Sequence, residues 1–382
     1  MLPKIITLIQ QMYGTSDPIP LHRPVFAGTE REDLVACIDS NFVSSVGEKV
    51  TELEQRVAEC AGAQFGVAVV NGTNALQVAL QLVGVERDCE VITQALSFVA
   101  TSNAIAYLDA HPVFIDVDRA TLGLSPDALR AWLDQFGQRR TDGCYNRSTG
   151  RRIAACQPMH TFGHPCRIDA IAALCAEWGI PLIEDAAESL GSTYQGRHTG
   201  TFGRLGVFSF NGNKIITTGG GGMIVTDDEA LATRAKHLTT TAKLPHPFEY
   251  VHDQLGYNFR MPNLNATLGC AQMEQLPGFL AAKREVADRY AAFCAEHGIE
   301  WVHEPKGARS NYWLNAIVLR SKAERDAFLQ ATNAAGVMTR PIWTLMVDLP
   351  MYAHCQHDGL AVSRWLADRV VCLPSSVPDA WG

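Results

Sequence analysis

Four short stretches carry residue types that could do chemistry together. Lys214 closes Phe208-Ser-Phe-Asn-Gly-Asn-Lys214, a Gly- and Asn-rich turn directly after an apolar run, and Thr217-Thr-Gly-Gly-Gly-Gly222 follows. A lysine partly withdrawn from water is a usable nucleophile toward a carbonyl, because burial disfavours its charged form. Most lysines in turns are simply solvated, so this reading needs company. Ser209 can offer its hydroxyl to a phosphate, and the glycines permit close backbone approach. Without Gly-Lys-Ser/Thr the run is not a Walker loop. Asp185 ends the apolar run Pro181-Leu-Ile-Glu-Asp185, where open α/β sheets bind their ligands. A carboxylate there would keep a pyridine nitrogen protonated; it could equally cap a helix or ligate a metal. Asn71-Gly-Thr-Asn74 offers a tight turn and free N–H groups that can hold a phosphate, or an ordinary helix cap. Gly256-Tyr-Asn-Phe-Arg-Met-Pro262 is a polar loop with two aromatics, or an interdomain connection.

The elements needed to position these turns are legible in the pattern. Short apolar runs at residues 67–70, 90–93, 112–117, 153–157, 181–184, 205–210 and 222–226 read as strands. Helical stretches at 74–82, 99–108 and 168–178 alternate with them. Runs with so few polar residues suit strands covered on both faces. The alternation implies an α/β domain with a large, mixed but mostly parallel sheet. Residues 139–152 read as an exposed loop or short hairpin. Pro262 opens a long helical stretch, 264–276 and 279–296, broken by Pro277-Gly278. A strand at 313–319, a helix at 322–335 and a strand at 337–340 suit a smaller α+β unit. The expected division is therefore a large domain with its N-terminal arm over 1–255, and linker helices with the small domain over 256–382.

A chain of 382 residues is long enough for two packed domains. Its net charge of −8 gives no basic face for nucleic acid. No apolar run reaches membrane-span length. The 11 cysteines are scattered with no Cys-x-x-Cys pair, and residues 5–9 are too short for a secretory core. The expectation is a cytoplasmic chain with reduced thiols, in which the formal sequon Asn146-Arg-Ser148 goes unmodified. His160 and His164 stand four apart, as zinc ligands can. Gly163 and Pro165 oppose a regular helix there, so no metal is expected. His354, Cys355 and His357 read as a turn.

The order of these features is informative: a phosphate turn, then an acid, then a lysine 29 residues later (214 − 185), then a Gly-rich turn. With Glu54-Gln-Arg-Val-Ala, Asn71-Gly-Thr-Asn-Ala-Leu, Ser97-Phe98-Val-Ala-Thr, Met159-His160-Thr-Phe-Gly-His-Pro165, Glu184-Asp-Ala-Ala-Glu-Ser-Leu-Gly191 and the 209–214 and 256–268 stretches, the chain resembles the DegT/DnrJ/EryC1/StrS sugar aminotransferases. The resemblance runs from about residue 19 to 376. It implies the aspartate-aminotransferase-like (type I) fold and pyridoxal 5′-phosphate as cofactor, passing through pyridoxamine phosphate. It implies that Lys214 holds the cofactor as a Schiff base and shuttles the proton, that Asp185 pairs with the ring nitrogen, and that Phe98 stacks on the ring. Gly72, Thr73, Asn74 and Ser209 would surround the phosphate, and Glu188 would stand beside the ring hydroxyl, a place that is Gln in some members. Asn258 would reach the phosphate of a neighbouring subunit, so the active form would be a homodimer with shared sites. His160 would lie near the reacting atoms.

The implied reaction moves an amino group from L-glutamate to a keto-sugar nucleotide. Asn211-Gly-Asn-Lys214, Pro158–Pro165 and the polar insertion before Arg151 look most like the C4-aminotransferases of the legionaminic acid and bacillosamine branch. Their substrate is a UDP-linked 2-acetamido-2,6-dideoxy-4-hexulose. Asn213, Arg260 and Arg340 are the candidates for substrate contact. The alternatives are a C3 or C4 aminotransferase for a GDP- or dTDP-linked sugar, a dehydratase, in which His replaces the lysine, or a non-catalytic cofactor-binding relative. Two departures stand out. Many members carry His or Gln three residues before the lysine, where this chain has Asn211. Family members also usually continue with another helix, whereas this chain stops at Gly382.

Overall fold

The computed structural model describes residues 2–15 and 17–378; Gly382 lies outside them. Among these residues the large domain is built on β1 (Phe65–Val69), β2 (Glu90–Gln94), β3 (His111–Ile115), the hairpin β4 (Gly137–Arg140) and β5 (Gly143–Asn146), β6 (Arg152–Gln157) and β7 (Ile183–Asp185). The short pair β8 (Thr193–Tyr194) and β9 (Arg197–His198) then leads to β10 (Leu205–Ser209) and β11 (Gly222–Thr226). The order β1-β11-β10-β7 continues through a parallel bridge, Cys156 with Leu182, into β6-β2-β3. β11 runs antiparallel to β1 and β10, while the β10–β7, β6–β2 and β2–β3 pairs are parallel. The mixed, mostly parallel sheet expected from the sequence is present.

Period-two alternation sends each strand's side chains into different layers. Val67, Val69 and Ile224 pack with α4 (Gly72–Leu82), α5 (Val99–Ala106) and α8 (Glu229–Thr239). Ala68, Met223 and Val225 face α3 (Glu48–Ala61) and α9 (Asn263–His297) on the other side. Further along that side, Ile92, Ile115 and Ile153 meet α6 (Pro126–Phe136) and α7 (Ile168–Trp178). Side-chain caps fix where helices start: Asn71 for α4, Ser125 for α6 with Pro126 behind it, and Asp228 for α8.

The small domain pairs β12 (Glu300–Trp301), β14 (Asn315–Val318), β16 (Val370–Leu373) and β15 (Arg340–Pro341), in that order and antiparallel. β13 (Ala308–Arg309) crosses back to pair with β8. α10 (Lys322–Ala334) and α11 (Ala361–Ala367) complete this part of the chain.

Two expectations change. The break at Pro277-Gly278 is absent: α9 is one helix of 35 residues with Pro277 inside. Proline there leaves the Met273 carbonyl without its helical donor, but Leu276 and Phe279 are buried in the core on either side and α9 packs along α2 (Glu30–Asp39) and α3. That packing holds the helix continuous. The N-terminal arm was assigned to the large domain, yet α1 (Leu2–Tyr13) buries Ile5, Ile9 and Met12 against Val286, Tyr290 and Phe328 beside the small sheet. At the end of the hairpin, Asn146 points inward. It is fully buried and its amide donates to Glu90 and Gln356 at 2.7 and 2.6 Å.

Candidate active site

The ends of β7 and β10, the start of α4 and the small-domain segments around Trp313 and Arg340 enclose a cavity of about 880 Å³. Lys214 reaches it from a turn closed by two backbone bonds, Lys214 N–H to Asn211 O at 2.9 Å and Thr218 N–H to Phe210 O at 3.0 Å. Its Nζ lies 3.3 Å from Glu188 Oε1 and 4.1 Å from the centre of the Trp313 ring. The indole N–H of Trp313 donates to Asn213 O at 2.7 Å, which fixes the ring under the lysine.

Two buried acids face this amine. Asp185 accepts the Thr101 hydroxyl at 2.8 Å on Oδ2 and the Ala187 N–H at 3.2 Å on Oδ1. Burial pushes its pKa up despite these bonds. The Thr101 hydroxyl in turn accepts from Ser97 at 2.7 Å. Glu188 Oε2 accepts the Phe162 N–H at 2.9 Å. Burial pushes the Glu188 pKa up to about 7, with Lys214 pulling the other way.

At the opposite end, Asn71 Oδ1 takes the Asn74 N–H at 2.8 Å. The first N–H groups of α4, those of Gly72 and Thr73, have no partner within the helix and sit at the positive end of its dipole. Both residues line the cavity with Ser209. Glycine is needed at this corner. A Cβ on Gly72 would lie 2.9 Å from Ser209 Cβ, and one on Gly222 would lie 2.6 Å from both Asn71 C and Asn71 O. Phe98, just before α5, borders the cavity and remains 49% exposed, an unusual state for a large aromatic and one that leaves a face open to a planar ligand.

Of the residues singled out from sequence, Gly72, Thr73, Phe98, Asp185, Glu188, Ser209, Asn213, Lys214 and Arg340 meet at this cavity. Asn74 does not line it; its side chain turns to Gln77. Asn258 and Arg260 do not line it either. Their loop runs beside the edge of β1, with Val70 N–H donating to Phe259 O, and Arg260 donates to Asn258 Oδ1 at 3.3 and 3.2 Å. His160 is a correction. It is fully buried behind the site, and both ring nitrogens are engaged. Cys166 N–H donates to Nδ1 at 3.2 Å, so the ring proton sits on Nε2 and goes to Glu184 at 3.0 Å. Sequence reasoning gave no role to Thr101, Trp313, Trp343 or His22, all of which border the cavity. Thr101 stood three residues after Phe98 in a stretch already noticed; the others come from distant parts of the chain.

A buried acid, a lysine and a glycine-walled helix N-terminus around one cavity, on this sheet, suit a pyridoxal-phosphate-dependent enzyme. The chain belongs to the DegT/DnrJ/EryC1/StrS aminotransferase family, whose model matches residues 25–378. It is 36% identical to the GDP-perosamine synthase of Escherichia coli O157:H7 over 94% of this chain and 93% of that protein. Among solved structures it resembles the aminotransferase TlmJ from Streptoalloteichus hindustanus, with a TM-score of 0.84 and 30% identity over 94% and 93% of the two chains. It also resembles DesI in the presence of its TDP-sugar product, with a TM-score of 0.82 and 27% identity over 97% and 91%. The cofactor is pyridoxal phosphate, and the residues present fit it: a buried acid that a ring N–H would neutralise, an open aromatic face and a glycine-walled helix start. Among the described residues no helix is long and apolar enough to cross a membrane.

Proposed function

We propose that this protein transfers an amino group from L-glutamate to C4 of a nucleotide-linked 4-keto-6-deoxy sugar. The observation that carries the reading is the cavity, in which a single lysine amine meets two buried acids at one end while the space extends past Trp343 and Ile342 to Arg340. Lys214 would hold the cofactor covalently and move protons at Nζ. Asp185 would pair with the ring nitrogen, Phe98 would cover the ring, and Gly72, Thr73 and Ser209 would hold the phosphate. When bound, pyridoxal phosphate supplies the electron sink. Thr101 keeps the Asp185 carboxylate aimed, and Trp313 shields the lysine from water. Arg340 would meet the diphosphate at the rim.

For the nucleotide, similarity to a protein named GDP-perosamine synthase favours a GDP-linked sugar. The turn motifs favour the UDP-linked 2-acetamido sugar instead. Rates with GDP-, UDP- and dTDP-linked 4-keto sugars and glutamate decide between them. A preference of about a hundredfold for one, roughly 2.7 kcal/mol in transition-state binding, fixes the nucleotide; turnover of none refutes the acceptor class.

The active form in this proposal is a homodimer. Support comes from the exposed apolar residues Phe42, Val46, Tyr250 and Leu255, and from the exposed Asn258 turned away from its own cavity. Mixing inactive Lys214→Ala and Asn258→Ala chains should restore activity through mixed dimers. No recovery after proven subunit exchange means that Asn258 serves its own chain.

A further inference from the structure

Among the described residues Glu188 is the one acid in hydrogen-bonding range of the reactive amine, and aligning and anchoring a cofactor does not require it to be an acid. Its Oε1 is 3.3 Å from Lys214 Nζ, its Oε2 is held by the Phe162 N–H, and only 3% of the residue is exposed. We propose that Glu188 is the proton carrier for Lys214, taking the proton of the lysine ammonium before the amine acts at carbon and returning it once the amine is free again. The assignment rests on the aminotransferase reading of this site but not on the choice of sugar.

The step is a simple exchange. Lys214 –NH3+ and Glu188 –COO− become –NH2 and –COOH: an N–H bond breaks, its electron pair stays on nitrogen, and an O–H bond forms at Oε1. The freed lone pair is what takes a proton from carbon or attacks a carbonyl. Once the amine has given up the proton it took from carbon, the reverse transfer restores the ion pair, so nothing is consumed.

The surroundings hold the two states close in energy. Burial of Glu188 and of most of the lysine side chain penalises two separate charges, which favours the neutral pair. Asp185, buried on the same side, adds negative charge and also opposes ionisation of Glu188. Lys214 and the Phe162 N–H favour the anion. Behind the carboxyl stands the Cys372 thiol, whose own pKa burial pushes far up, so it contributes no charge. The balance leaves Glu188 titrating at about 7, close to working pH, where a group both takes and gives protons readily. A glutamine would keep the bond from the Phe162 N–H, turn an amide N–H2 toward Lys214 in place of the second acceptor, and lose this capacity.

The test uses the purified holoenzyme and two pH series. One follows the visible absorption of the bound cofactor, and the other the single-turnover bleaching by glutamate, which needs no sugar. In the wild type both should bend where Glu188 changes charge. Glu188→Gln should keep its cofactor through gel filtration, lose that bend, and bleach on the order of 100-fold more slowly at neutral pH. Glu188→Asp should keep the bend with an intermediate rate. A Glu188→Gln protein with the wild-type bend, one slowed equally at every pH, or one that sheds its cofactor overturns the assignment. Failure of the wild type to bleach with any amino acid would overturn the aminotransferase reading itself, whereas a wrong sugar leaves both series readable.

Discussion

Asp116 should be the residue on which the small-domain wall of the cavity depends. It lies just past β3, and its carboxylate accepts Val362 N–H and Ser363 N–H at 2.8 Å each, the Ser363 hydroxyl at 2.6 Å and Val117 N–H at 2.9 Å. Its own N–H donates to Asp358 Oδ2 at 3.0 Å. The helix held in this way, α11, has seven residues and is too short to persist without tertiary support. Asp116→Asn keeps the shape but turns an amide N–H2 toward N–H donors. At least one bond to a charged acceptor is lost and the others weaken, each worth roughly 1.5–3 kcal/mol. The net cost should be about 2–4 kcal/mol against the docked helix, or roughly 30- to 1,000-fold more frequent opening. Hydrogen exchange of a peptide covering residues 358–368 reads this directly. The KM for the keto-sugar nucleotide should rise, because residues 340–344 wall the cavity in the same segment, while bleaching by glutamate should change little. Exchange within about threefold of wild type would show that α11 is held by its apolar contacts and that the carboxylate argument is wrong.

Three further outcomes follow from the site. Gly222→Ala should weaken cofactor binding at least about tenfold in an absorbance titration and cost roughly 1–3 kcal/mol of stability, since its Cβ has only backbone to push against; unchanged binding would mean that the turn yields easily. Asp185→Asn should retain cofactor yet slow bleaching by glutamate on the order of 100-fold, because an amide cannot favour a protonated ring nitrogen; a near-normal stopped-flow rate would remove Asp185 from its role. In the cofactor-free protein, Glu188 has a pKa of about 7 folded against 4.5 in its ordinary state, so between those values the folded chain binds more protons and stability falls as pH rises, by up to about 3 kcal/mol above pH 7. Urea midpoints should therefore show Glu188→Gln more stable than wild type at pH 8 but not at pH 4.5, and an equal gain at both values would contradict this.

Much of the large domain was legible because buried parallel strands are nearly continuous apolar runs, and the reactive groups sit where those runs end. Lys214 and Asp185 could be found in that way. Trp313 and His22 could not, since nothing local marks a residue whose importance lies in contact across about a hundred positions or more. The Pro277-Gly278 signal misled for the opposite reason: a local breaker was outweighed by burial of Leu276 and Phe279 against α2 and α3. α1, α2, α3, α6, α8 and α11 escaped the pattern reading altogether. The apolar stripe of α3 was visible only as a motif around Glu54, and α2 leaves Val35 and Ile38 exposed, which blurs its periodicity.

The place of His160 behind the cavity follows from the alternation of extended chain. Met159 and Asp185 pair across a parallel bridge, and both border the cavity. Side chains at adjacent positions of extended chain point to opposite faces. The neighbours His160 and Glu184 must then share the back face, and they do, bonded to each other at 3.0 Å. Glu184 also takes Gly200 N–H and Gly203 N–H at 2.8 Å each, so its carboxylate is used up tying the loop after β9 to β7. In Glu184-Asp185 two acids stand side by side in sequence, and the parity of the strand alone separates the one that holds the loop from the one that faces the cavity.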